Sequence, residues 1–295
     1  MRPWPALLCV AFLLPVPAGG QPVTRRAFVD ATHASGGAVL DLKPADFQIT
    51  EAGAVCDVSS ATLTQRPTRI VLMVDATDAV RQPIGQIRTA ITTFLEAVDA
   101  EHEMMFVTVA GTLQIRVPPT KDRAAMIKAA RNLFGTSGAS TMYRHVDDIF
   151  HRFGQTTGQR PVFVLVTAER YESTENINPQ EIKHISDHFI ARGGTLHSIR
   201  LRPTTAQTLR GGNVTALPVT QIVARDTGGA YTDTSPAGLL ETLQRLADVI
   251  NSAHASAAMV YEVEYTGPQI KGRKPTVPDV RVDREGIQLK VFASP

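Results

Sequence analysis

Two kinds of apolar spacing divide the chain. From Pro22 to Arg66 the hydrophobic positions fall in short alternating runs, as in AFVDATHASGGAVLDLKPADFQITEAGAVCDVSSATL, broken by Gly-Gly, Lys-Pro-Ala-Asp and Glu-Ala-Gly. Alternation with turn residues between predicts a few β-strands and tight turns. Their length allows a small sheet that is not stable by itself.

From about Pro67 to Ala258 the spacing changes to strand-helix alternation. Arg69 to Val74 is a continuous apolar run, suited to a buried strand. Ile84, Ile87, Ile91, Phe94, Leu95 and Val98 then recur at helical spacing. Glu103 to Ala110 and Leu113 to Val117 read as strands about a Gly-Thr turn, and Lys121 to Phe134 and Met142 to Phe153 as helices. Pro161 to Thr167 is a second buried strand. Pro179 to Arg192 is a helix stopped by Gly193-Gly194, and Thr195 to Leu201 a strand. Ser235 is placed to cap a last helix with Leu239, Leu240, Leu243, Leu246 and Ile250 inward. From Tyr261 to Pro295 alternation returns, in YEVEY and in VRVDREGIQLKVF about Gly286.

The pattern predicts an α/β fold: a doubly wound, mostly parallel sheet with helices on both faces. The N- and C-terminal segments are expected to form a small flanking β domain. The expected divisions are 1–20, 21–66, 67–258 and 259–295. In such sheets ligands bind beyond the carboxyl ends of the strands, where strand order reverses. Asp75 and Thr167 both end apolar strands.

The first twenty residues stand outside this pattern. MRPWPALLCVAFLLPVPAGG has a basic start, an apolar centre and small residues near Ala18 and Gly20. That is the layout of a secretory signal peptide, cleaved after Ala18 or Gly20. Its apolar core is short and interrupted by proline for a membrane span; an uncleaved anchor is the alternative. No other run is long enough to cross a bilayer, so the expected location is periplasmic or secreted.

Composition changes the picture little. Of 295 residues 43% are hydrophobic and 20% charged, enough for a sizeable core. A net charge of +2 with no Lys/Arg block argues against nucleic acid as a partner. Of two cysteines, Cys9 lies in the leader, which leaves Cys56 without an internal disulfide partner. It is expected to be a small buried residue near a strand.

The candidate chemistry starts at IVLMVDATDAV, Ile70 to Val80, where a strand gives way to Asp75-x-Thr77-x-Ala79. A carboxylate and hydroxyls at a strand end offer the oxygen ligands that Mg²⁺ or Mn²⁺ takes. Thr141 in GTSGASTMYRHV and the VLVTAERYES segment, Thr167, Ala168 and Glu169, are the loops that would complete such a site.

At these positions the chain resembles a von Willebrand factor type A (VWFA) domain, and more closely a bacterial group of exported VWFA-related proteins. Leu42, Asp46, Phe47, Glu51 and Gly53 match that group's N-terminal signature. ASTMYRHV, DTGGAYTD, YEVEY and Arg284-Glu285-Gly286 match later passages in order and spacing. The resemblance covers nearly all of the chain after the leader. It implies a metal-ion-dependent adhesion site built on Asp-x-Ser-x-Ser, a Thr and an Asp. Asp75 and Thr141 match, and Thr77 keeps the first hydroxyl. Ala79 and Ala168 lack the oxygens of the second serine and the aspartate. The metal residues are thus Asp75, Thr77 and Thr141. Asp78 and Glu169 are the neighbours placed to compensate.

The expected function is an exported, non-enzymatic protein-protein binding module with a degenerate divalent-cation site. Asp75, Thr77, Asp78, Thr141 and Glu169 would meet a protein partner. The alternatives are a structural part of a cell-envelope assembly, or a hydrolase using Asp75 and Glu169. His184 and His188 lie one helical turn apart, a spacing that can hold Zn²⁺. Their helix turns Ile182, Ile185 and Phe189 inward, and no third ligand is visible nearby, so they read as surface residues. His145 and His151 show no ligand spacing.

Overall fold

The structure is a computed structural model describing residues 23–138, 142–154, 158–168, 177–202, 218–267 and 278–294. The expected signal peptide, Thr141 and Glu169 lie outside these residues.

The central strand is β4, Thr68–Asp75, buried along its whole length. It can be apolar on both faces because parallel partners flank it on both sides: β5 (Glu103–Ala110) and β7 (Arg160–Thr167). Beyond β7 come β8 (Thr195–Leu201) and β9 (Tyr231–Thr234), both parallel. At the other edge β6 (Thr112–Thr120) folds back antiparallel on β5. The order is β6-β5-β4-β7-β8-β9.

Alternation along β4 sends Ile70, Leu72 and Val74 to one face. There they meet α1 (Ile84–Ala97), α2 (Arg123–Arg131) and α6 (Leu239–Ala255). Val71 and Met73 face α3 (Met142–Ile149), α4 (Pro179–Ala191) and α5 (Val219–Asp226). The fold is therefore the doubly wound α/β layout expected. Each large side chain in these two cores contributes about 1.5–3 kcal/mol of burial.

The details differ from the sequence pattern in places. The helix expected from Lys121 to Phe134 is shorter: Asp122 caps it by accepting from Ala125 N at 3.0 Å, and Asn132 ends it. Leu133 stays buried while Phe134 is exposed. Ser235 does not cap α6; its hydroxyl accepts from Gly238 N at 3.2 Å, closing a turn just before Leu239. The helix from Met142 changes at Phe150 into a π turn, Phe150–Gly154.

The terminal segments build the second sheet. It comprises β1 (Val23–His33), β2 (Phe47–Glu51), β3 (Ala54–Gln65), β10 (Met259–Gly267), β11 (Asp279–Val282) and β12 (Ile287–Ser294). The order is β11-β2-β3-β10-β1-β12, antiparallel throughout. The two runs about Gly286 thus lie at opposite edges. From Val282 to Ile287 the chain reaches at most about 18 Å, whereas five flat strand spacings span about 24 Å. The sheet must curl to bring its edges together. Its inner face holds Phe47, Ile49, Tyr261, Val263 and Tyr265, with Cys56 buried and free. Tyr261 OH accepts from Leu42 N at 2.9 Å. Glu51, 1% exposed, is paired with Arg25 inside this sheet.

Arg66 joins the two sheets. Its guanidinium donates to the carbonyls of Gly158 (2.6 Å), Gln159 (3.0 Å) and Arg192 (2.6 Å). It also sits 3.5 Å above the Phe292 ring. No helix among the described residues is long and apolar enough to cross a membrane.

Candidate functional site

From β4 the chain goes first to β5 on one side, then to β7 on the other. The point where strand order reverses therefore lies at the carboxyl ends of β4 and β7, the usual place for a ligand crevice. Asp75 ends β4 there and is 1% exposed. One carboxylate oxygen accepts from Thr77 N at 2.8 Å, the other from Ala168 N at 3.1 Å. The Thr77 side chain bonds it too. Burial pushes the Asp75 carboxyl above its ordinary range, and the bonds from Thr77 and Ala168 pull the other way.

The loop after Asp75 is held by the segment that leads toward Thr141. Thr136 N donates to Ala76 O at 2.7 Å, and Val80 N to Thr77 O at 3.1 Å. A Cβ on Gly135 would stand 2.9 Å from Thr77 O, and one on Gly138 2.7 Å from the Ala110 carbonyl carbon. The glycines of GTSGAST are there so that three loops can touch.

Of the residues singled out from sequence, the structure brings Asp75, Thr77 and Ala168 together. Asp78 is exposed and turns to Arg81, at 2.6 Å. Ala79 is exposed and carries no oxygen. Thr141 and Glu169 are not among the described residues. Asp75 and Thr77 are hard-oxygen donors of the kind Mg²⁺ and Mn²⁺ take. Among the described residues, however, the position of the second carboxylate presents the Ala168 N–H, which competes with a cation for Asp75's lone pairs. Water would have to supply most of an octahedral shell.

Beside this loop is a cleft the sequence did not announce. Ala76, Gln114, Arg116, Phe134 and Thr136 line it. Phe134 is 54% exposed, and the Arg116 guanidinium lies 5.7 Å from its ring centroid. Phe134 is the last residue of the helix expected from sequence, and an end position there does not show which way its ring faces.

His184 and His188 require a correction. They are not isolated surface residues: Asp147 and His151 from α3 and its π turn converge on them. Sequence spacing on α4 alone could not show this.

The fold built this way, with a five-stranded parallel run, one antiparallel edge strand and Asp75 at the switch point, is that of von Willebrand factor type A domains. The chain is similar to von Willebrand factor type A from Catenulispora acidiphila, at 10% identity, a TM-score of 0.51, and coverage of 92% of this chain and 74% of that one. It is also similar to the vWF domain of the type V pili tip protein Mfa5 from Porphyromonas gingivalis (11% identity, TM-score 0.49, 64% of this chain and 97% of that one). A third is BatB from Bacteroides thetaiotaomicron (14%, TM-score 0.46, 64% and 100%). No family model matches the sequence, and no curated protein does.

Proposed function

We propose that the chain is an exported, non-enzymatic protein-binding module, with a leader over 1–20 and a VWFA-like unit over 67–258. The segments 21–66 and 259–295 flank that unit. The observation that carries this reading is the pairing of a hydrogen-bonded loop at Asp75 with the exposed Phe134 ring and the half-buried Arg116 beside it. Aromatic and Arg side chains on a preorganised surface are the usual anchors of protein interfaces. Asp75 serves that surface by fixing Thr77 and Ala168 through hydrogen bonds. A carboxylate tied in this way is not poised to move a proton, which supports a binding role over hydrolysis. The divalent-cation site of the fold is degenerate here, and Mg²⁺ or Mn²⁺ binds weakly or not at all. The signal-peptide layout is in keeping with a surface or periplasmic setting.

The test is capture from the native envelope fraction on the immobilised chain, wild type against an Arg116→Ala/Phe134→Ala variant. A specific protein held by the wild type and lost from the variant supports the reading. Equal recovery on both, or no specific protein on either, counts against it.

A further inference from the structure

A second constellation lies on the flank of the α/β unit, away from Asp75. α3 and α4 both start near the carboxyl ends of the strands and run back toward the Arg66 junction. There Arg69 donates to Phe153 O at 2.8 Å and Arg66 to Arg192 O. Near those far ends, Asp147 and His151 sit one turn apart on one helix, and His184 and His188 one turn apart on the other. One ligand atom from each of the four lies within 4.8 Å of all the others.

We propose that Asp147, His151, His184 and His188 form a Zn²⁺ site that clips α3 to α4. Three imidazoles and one carboxylate are a donor set of tetrahedral Zn²⁺, with bonds of about 2.0–2.1 Å. Such a tetrahedron has edges of about 3.4 Å. Two edges already have nearly that length: Asp147 Oδ1 lies 3.4 Å from His188 Nδ1 and 3.5 Å from His151 Nε2. The remaining edges close by side-chain rotation, since His151 and His184 are exposed. That exposure also gives the ion a route in from solvent.

Three further observations fit. The His184 and His188 rings are only 3.9 Å apart, and His151 lies 4.9 Å from His188. Imidazoles crowded about one carboxylate repel when protonated, and an ion gives their lone pairs a common target. Phe150 stacks on His188 at 5.5 Å with an interplanar angle of 11°, holding that ring in place. Finally, the α-helix gives way to a π turn at Phe150, next to His151, and such turns occur frequently at functional sites. Borderline nitrogen ligands favour Zn²⁺ over the hard cations of the Asp75 loop.

The test uses the full chain without a histidine tag, titrated with Zn²⁺ by calorimetry and with Co²⁺ by visible absorption. The expected result is one ion per chain and the intense d–d bands of tetrahedral Co²⁺. His184→Gln/His188→Gln on one helix and Asp147→Asn/His151→Gln on the other should each weaken binding by roughly 100-fold or more. Asp75→Ala should leave it unchanged. No saturable binding, or binding that survives both double substitutions, would overturn the proposal. Using one pair from each helix separates ligand loss from local misfolding, as do circular dichroism spectra of each variant.

Discussion

The rim at Asp75 and the flank at His188 are opposite cases of how a site is assembled. At the rim the polar side chains come from one contiguous motif, and the backbone has claimed them: Asp75 is bonded by Thr77 and Ala168. On the flank the sequence shows only two histidines one turn apart, yet the fold brings a ligand atom from each of four residues within 4.8 Å of one another. A motif that looks like a cation site can be a structural clamp, while a pair of histidines that reads as surface gains partners only when the helices pack.

The largest effect that could break this comparison is in cation selectivity. At a hundred times its Kd, Zn²⁺ should add about 2.7 kcal/mol to stability, seen as a raised thermal midpoint. The His184→Gln/His188→Gln variant should show no such rise. Equal Zn²⁺ stabilisation of the variant would place the ion elsewhere.

Next is acid sensitivity, to which two buried histidines outside both sites contribute. His102 and His197 are buried, and burial chiefly lowers each imidazole from 6.5 to about 4. The unfolded chain binds a proton there that the folded one refuses between those values. Stability should therefore fall as pH drops from 6.5 to about 4. Asp75, shifted upward, acts in the opposite sense: its contribution is present below the unfolded carboxyl value and is lost as pH rises through the folded one. Urea midpoints across this range check the sign. His197→Gln should flatten the slope, and an unchanged slope would contradict the assignment.

A comparable loss is expected from Asp75→Ala. It leaves the Thr77 and Ala168 N–H groups without their acceptor, at a cost of about 2–3 kcal/mol after the relief of burying a charge. A neutral outcome in urea denaturation would remove the structural role given to Asp75. The smallest effect is at Arg116 and Phe134. Arg116→Ala/Phe134→Ala alters a half-buried and an exposed group and should change stability by less than about 1 kcal/mol, while abolishing partner capture. A large destabilisation would mean that Phe134 is core.

The frame of the molecule could be read from sequence where the signal was long. β4 and β7 are continuous apolar runs, β8 is bounded by the Gly193-Gly194 helix stop, and α1 and α4 carry sustained helical spacing. α5 and β9, at eight and four residues, are too short for a period to declare itself. The runs about Gly286 could not be placed locally, because β11 and β12 pair with β2 and β1, more than two hundred residues earlier. Asp75 could be found because a strand end followed by Asp-x-Thr is a local pattern. That Ala168 donates its N–H to it could not, since the bond spans 93 positions. The histidine cluster failed the same way: its halves lie on two helices that periodicity recognises separately and cannot pair.

The central claim is that Asp75 holds a recognition loop together and does not bind a divalent cation tightly. The direct measurement is calorimetric titration of Mg²⁺ and of Mn²⁺ into the His184→Gln/His188→Gln chain, which removes the flank from consideration. The account predicts no saturable heat at micromolar cation. Micromolar binding that disappears on adding Asp75→Ala would contradict it.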